Sequence, residues 1–106
     1  MDVTLLYSSD CPNWRIAEQR LRAALEQSGR GGVKIYLDEV STIGVARQKH
    51  FTGSPTILID GVDPFVDSSA PAPPALACRV YRSAEGLAGS PTIAQLVDAL
   101  EAASVR

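Results

Sequence analysis

The chain has 106 residues, 45% of them hydrophobic and 21% charged, with a formal net charge of −2. That is the length and balance of one globular domain, large enough to bury a core without staples. Basic residues are scattered, aromatic residues are too few for stacking platforms, and the apolar runs are far too short to span a bilayer, so nucleic acid and the membrane are set aside as partners.

Val3-Thr4-Leu5-Leu6-Tyr7 is short, apolar and bounded by Ser8-Ser9-Asp10, which reads as a buried strand. No basic stretch, apolar core or cleavage site precedes it, so the expected location is the cytoplasm. Trp14, Ala17, Leu21, Ala24 and Leu25 then recur at helical spacing between charged residues. Pro12 suits the first position of that helix and puts Cys11 at its N-cap, while Ser28-Gly29-Arg30-Gly31-Gly32 ends it. Val33 to Leu37 alternates as a second strand closed by Asp38-Glu39, completing a parallel, right-handed βαβ unit. Ser41 is placed to cap a short helix running to about Lys49, which Gly44 weakens.

Phe51 to Pro55 is a turn, Thr56 to Ile59 a strand, and Asp60-Gly61 a hairpin signal. The partner strand is delayed by residues 62–76, rich in Pro, Ala, Ser and Asp, which read as an inserted surface loop. Within it Asp63-Pro64-Phe65 is expected to fold back on the domain and the Ala70–Ala75 run to be extended and mobile. Cys78 to Arg82 reads as the returning strand. Ser90 as cap, Pro91 at the first position and the stripe Ile93, Leu96, Val97 and Leu100 announce the last helix. With no repeats and no linker, residues 1–106 form a single domain in the order β-α-β-α-β-β-α.

Two motifs sit at the corners of that order. Cys11-Pro12-Asn13-Trp14 follows the first strand, and Gly53-Ser54-Pro55-Thr56 opens the third, running into Ile57-Leu58-Ile59-Asp60-Gly61. Together they resemble the thioredoxin-like fold. The first is similar to the glutaredoxin-type Cys-Pro-x-Cys, with Trp14 where the second cysteine would stand. The resemblance covers nearly the whole chain. The expected fold class is α/β, a four-stranded mixed sheet in the strand order 2-1-3-4 with helices on both faces. The resemblance also implies a cis Ser54-Pro55 bond beside Cys11, offering the backbone N–H and C=O of Ser54 to an extended partner.

A thiolate is stabilised at a helix N-terminus by unpaired amides and the macrodipole. That makes Cys11 the candidate catalytic thiol, expected to be partly exposed and fast-reacting, with Asp10 opposing the effect and Arg15 compensating in part. Pro12, Trp14, Ser54 and Pro55 are the candidate substrate-binding residues; Trp14 reads either as core packing on the apolar stripe or as a shield for Cys11. Cys78 stands as a second thiol with two readings, a resolving partner or a buried small hydrophobe. Topology favours the second, because a strand beginning at Cys78 starts at the end of the sheet away from Pro55, and two distant cysteines in a cytoplasmic chain suggest no structural disulfide. His50 is either a base near Cys11 or a terminator of the helix before it. Ser8-Ser9-Asp10 stands where glutathione-binding relatives carry a basic residue. No metal site and no cofactor are implied.

The expected function is therefore that of a thioredoxin-like protein with a single reactive cysteine, doing thiol–disulfide chemistry or thiol-based binding with a thiol- or disulfide-bearing small molecule or protein. Two alternatives stand beside it. One is an organomercurial (alkylmercury) lyase-like protein using Cys11, Cys78 and the Asp10 carboxylic acid. The other is a non-catalytic thioredoxin-fold binding module using the groove by Pro55.

Overall fold

A computed structural model of the chain describes residues 1–65 and 74–105. The elements run β1 (Val3–Tyr7), α1 (Asn13–Gln27), β2 (Ile35–Glu39), α2 (Ile43–Gln48), β3 (Thr56–Ile59), β4 (Tyr81–Ser83), β5 (Gly86–Ala88) and α3 (Ile93–Ser104). The period of two along β1 decides the layering. Val3 and Leu5 face one side, where they join Ile57 and Ile59 of β3, Ala17, Leu21, Ala24 and Leu25 of α1, and Leu96 and Leu100 of α3. Leu6 faces the other, where Val40, Phe51 and Ala46 of α2 form a smaller cluster. Two helices thus cover one face and a short one the other.

β1 is central. It pairs parallel with β2, Val3 opposite Ile35 through Tyr7 opposite Glu39, and antiparallel with β3, Val3 opposite Ile59 through Leu6 opposite Thr56. The second strand starts and ends two residues later than its alternation predicts. Val33 is still held in the turn, its N–H donating to the carbonyl of Arg30 at 3.0 Å. β2 is an edge strand with only Ile35 buried, so Asp38 and Glu39 can continue the pairing with their side chains in water.

Among the described residues the four-stranded sheet in the order 2-1-3-4 is not formed: the sheet has three strands, β2-β1-β3, and β4 and β5 make a separate two-stranded hairpin. After Ile59 and Val62 close a tight turn, the chain does not re-enter antiparallel along β3. It returns at the opposite end of that strand, where the Ala75 N–H donates to the carbonyl of Phe51 at 3.0 Å and Cys78 bridges Ser54 in the parallel sense. The inserted loop allows this, since four strand residues span only about 13 Å and fifteen loop residues can reach far beyond it. The predicted strand from Cys78 accordingly begins only at Tyr81. Phe65 does fold back, packing against the main core; of the Ala70–Ala75 run expected to be extended and mobile, residues 70–73 lie outside the described residues.

Three caps also differ from the sequence expectation. Thr42, not Ser41, caps α2 by accepting the Val45 N–H. Thr92, not Ser90, caps α3 in a reciprocal capping box with Gln95. Ser90 is instead buried and accepts a hydrogen bond from Arg20 of α1 at 3.0 Å. Pro12 is itself the N-cap of α1 and provides no side-chain cap, which puts Cys11 one residue ahead of it.

Candidate functional site

Cys11 and Cys78 are joined in a disulfide across 67 residues of sequence, with Cα atoms 5.7 Å apart. This overturns both the far-end placement of Cys78 and the expectation of an unpaired Cys11. The exposures are reversed as well. Cys11 is 2% exposed, whereas Cys78 lies on the surface.

The pair is built on Ser54, which is fully buried. The Cys11 N–H donates to the Ser8 carbonyl at 3.0 Å, and the Ser8 N–H donates to Ser54 Oγ at 3.0 Å, so the corner after β1 is fastened to the segment before β3. The Cys11 sulfur lies 3.6 Å from the Ser54 carbonyl oxygen. The Ser54-Pro55 peptide bond is cis. Both main-chain groups of Ser54 are taken by the chain itself: its N–H donates to the Ala77 carbonyl and its carbonyl accepts from the Arg79 N–H, each at 2.8 Å. The ledge that the sequence assigns to a partner is occupied by the residues flanking Cys78.

Gly53 makes this approach feasible. Its φ is +148°, and a Cβ there would sit 2.9 Å from the Cβ of Arg79. Beyond it the returning segment is strapped down. Arg79 forms an ion pair with Asp63 at 2.6 Å, the two side chains 12% and 17% exposed, and its guanidinium lies 4.6 Å over the Tyr81 ring. The Tyr81 hydroxyl donates to the Pro55 carbonyl, and Phe65 meets the Tyr81 ring edge-on at 5.5 Å. Burial raises the Tyr81 phenol well above its ordinary value; Arg79 works against the shift and Asp63 adds to it. Gly53, Asp63, Arg79 and Tyr81 are the site residues that sequence reasoning missed. A glycine directly ahead of the Ser-Pro pair was the available signal for a close backbone approach.

Trp14 is half-buried and belongs to the packing. It stacks on Tyr7 with centroids 4.3 Å apart, contacts the main core, and carries the Arg15 guanidinium 5.0 Å above its ring. Pro12 and Asp10 are exposed. His50 ends α2: it holds a φ of +52° while the following Phe51 N–H donates to the Ala46 carbonyl at 2.8 Å. That is a helix terminus of the Schellman type with histidine in the left-handed position. The His50 side chain is exposed and borders a cavity shared with Thr52, Thr56, Leu58 and Asp63.

Among the described residues no helix is long and apolar enough to cross a membrane, and no group of three or more His, Cys, Asp and Glu side chains gathers that could hold a metal ion. Compared with protein families, curated proteins and solved structures, the chain matches none of them.

Proposed function

We propose that the chain is a thiol–disulfide redox protein of the thioredoxin-like type, working in the cytoplasm, whose redox couple is Cys11 and Cys78. The observation that carries this reading is the joining of the two sulfurs just ahead of α1, against the Ser54 carbonyl. The single-thiol expectation is thereby revised: the second sulfur missing at Trp14 is supplied from the returning segment. In a reducing compartment a disulfide of this kind is transient and functional rather than a permanent staple. Oxidation of the dithiol forms the Cys11–Cys78 bond and converts a partner disulfide into two thiols; a partner dithiol drives the reverse.

The test is equilibration of the protein in glutathione buffers of graded ratio, acid quenching and thiol counting by mass. The expected outcome is one two-electron transition with a midpoint between about −180 and −270 mV, within the range of known exchange proteins. A bond that survives below about −300 mV, where structural disulfides lie, would show it to be a staple.

The contact between the two sulfurs also favours a second reading, the organomercurial lyase-like one. Two thiolates would bind the mercury of an alkylmercury ion, a proton from Asp10 or a thiol would pass to carbon, and the alkane would leave a mercury dithiolate behind. Methane release from methylmercury by the reduced protein, lost in Cys11→Ser and in Cys78→Ser, is the expected result on this reading. Release at the rate of a free dithiol would remove it.

A further inference from the structure

The two halves of the disulfide are not equivalent, and the asymmetry points the opposite way from the sequence motif. We infer that the bond has a fixed polarity: partners exchange at Cys78, and Cys11 is the resolving thiol. This rests on the reading of the pair as a redox couple.

Thiol–disulfide exchange depends on which sulfur the thiolate can reach. The nucleophile must arrive opposite the sulfur that leaves. Cys11 is 2% exposed, with its N–H on Ser8, Ser8 on Ser54 Oγ, and its sulfur against the Ser54 carbonyl. Protein therefore surrounds the side from which it would have to be attacked. Cys78 is exposed to solvent.

The surroundings also provide for the second half of the cycle. Ala77 and Arg79, on either side of Cys78, are each held by Ser54, and Arg79 is held again by Asp63. These ties do not involve the sulfur–sulfur bond. A partner attached to the Cys78 sulfur would therefore stay beside Cys11.

In the reducing direction a partner thiolate attacks the Cys78 sulfur. The Cys11–Cys78 bond breaks, a bond between the partner sulfur and Cys78 forms, and Cys11 departs with the electron pair as a thiolate. A second thiolate of the partner then attacks the partner's own bonded sulfur, and Cys78 leaves as a thiolate. In the oxidising direction the Cys78 thiolate opens a partner disulfide and releases one partner thiolate. The Cys11 thiolate next attacks the Cys78 sulfur and releases the other. Thiolates released above exchange protons with water. The cysteine of the Cys-Pro-Asn-Trp motif thus never bears the partner.

The test maps the adduct. Oxidised full-length protein is mixed with excess reduced glutathione, quenched in acid at early times, alkylated and digested. The glutathione adduct on the Cys78 peptide is expected to exceed that on the Cys11 peptide by about tenfold. A second measurement uses the single variants: Cys11→Ser is expected to form a mixed disulfide with oxidised glutathione about tenfold faster than Cys78→Ser. An adduct found equally or mainly on Cys11, or a faster Cys78→Ser variant, overturns the polarity. A bond that glutathione does not open at all instead defeats the redox-couple reading on which the polarity stands.

Discussion

Removing the cross-link should destabilise the fold by an amount set by the length of chain it closes. Cys78→Ala is the cleanest perturbation, because the Cys78 side chain is exposed and its loss opens no cavity. With a sequence separation of 67, loop-closure entropy gives the disulfide about 4 kcal/mol. A domain of 106 residues unfolds with an entropy of about 0.2 kcal/mol per kelvin, so the melting temperature should fall by about 20 °C. Calorimetry should therefore give three curves: oxidised wild type highest, Cys78→Ala well below it, and phosphine-reduced wild type close to Cys78→Ala. A drop under about 5 °C would refute the reasoning, since it would require an unfolded chain already held compact without the bond. A reduced wild type melting with the oxidised form would point to the same failure.

Gly53→Ala should cost about 2 kcal/mol in chemical denaturation and slow re-formation of the disulfide, because the new methyl meets Arg79 at a backbone angle that disfavours a side chain. Tyr81→Phe should cost about 1 kcal/mol at neutral pH, measured by urea titration, through the loss of its bond to the Pro55 carbonyl. It should also flatten the alkaline limb of stability. The folded phenol titrates above its unfolded value, so its contribution is full below about pH 10 and falls as pH rises further, by about 1.4 kcal/mol per pH unit. A wild type with no steeper fall than the variant would contradict that linkage. His50→Gly should raise stability by about 0.5 kcal/mol through relief of the left-handed backbone, and leave disulfide exchange rates unchanged. A slowed exchange would return His50 to the site.

What could be read from the sequence is what a local period encodes. β1 and β3 follow from short apolar runs bounded by turn residues, α1 from its helical stripe, and the parallel β2 from the helix between it and β1. Caps were less legible because candidates stand close together: Ser41 beside Thr42, Ser90 near Thr92. Only the box partner Gln95, three residues after Thr92, tells the second pair apart. The position of Cys78 was not legible at all. It depends on where an aperiodic loop sets the chain down, and no periodicity carries that information. The features that fix it are single contacts, Gly53 against Arg79 and Arg79 with Asp63, each between residues distant in sequence. The β4–β5 hairpin was missed for a related reason. It has little core of its own, with Leu87 70% exposed, and its turn relies on Gly86 at a φ of +108° rather than on an Asn-Gly pair.

The Arg20 clip between α1 and α3 acquires a meaning from the covalent ring. Residues 11 to 78 close on themselves through the disulfide and contain α1, β2, α2 and β3; β1 lies outside at the N-terminal end, and β4, β5 and α3 outside at the C-terminal end. A single protease cut anywhere inside the ring leaves both fragments covalently joined. A cut at the exposed Ala84-Glu85 turn does not: it yields a severed C-terminal fragment, retained by noncovalent contacts such as Leu96, Leu100 and Ala103 in the core, the pairing of β5 with β4, and Arg20 donating to Ser90 and Pro91. On a non-reducing gel the first kind of nick is invisible and the second sheds a peptide, so the attachment of α3 becomes a thing that can be weighed.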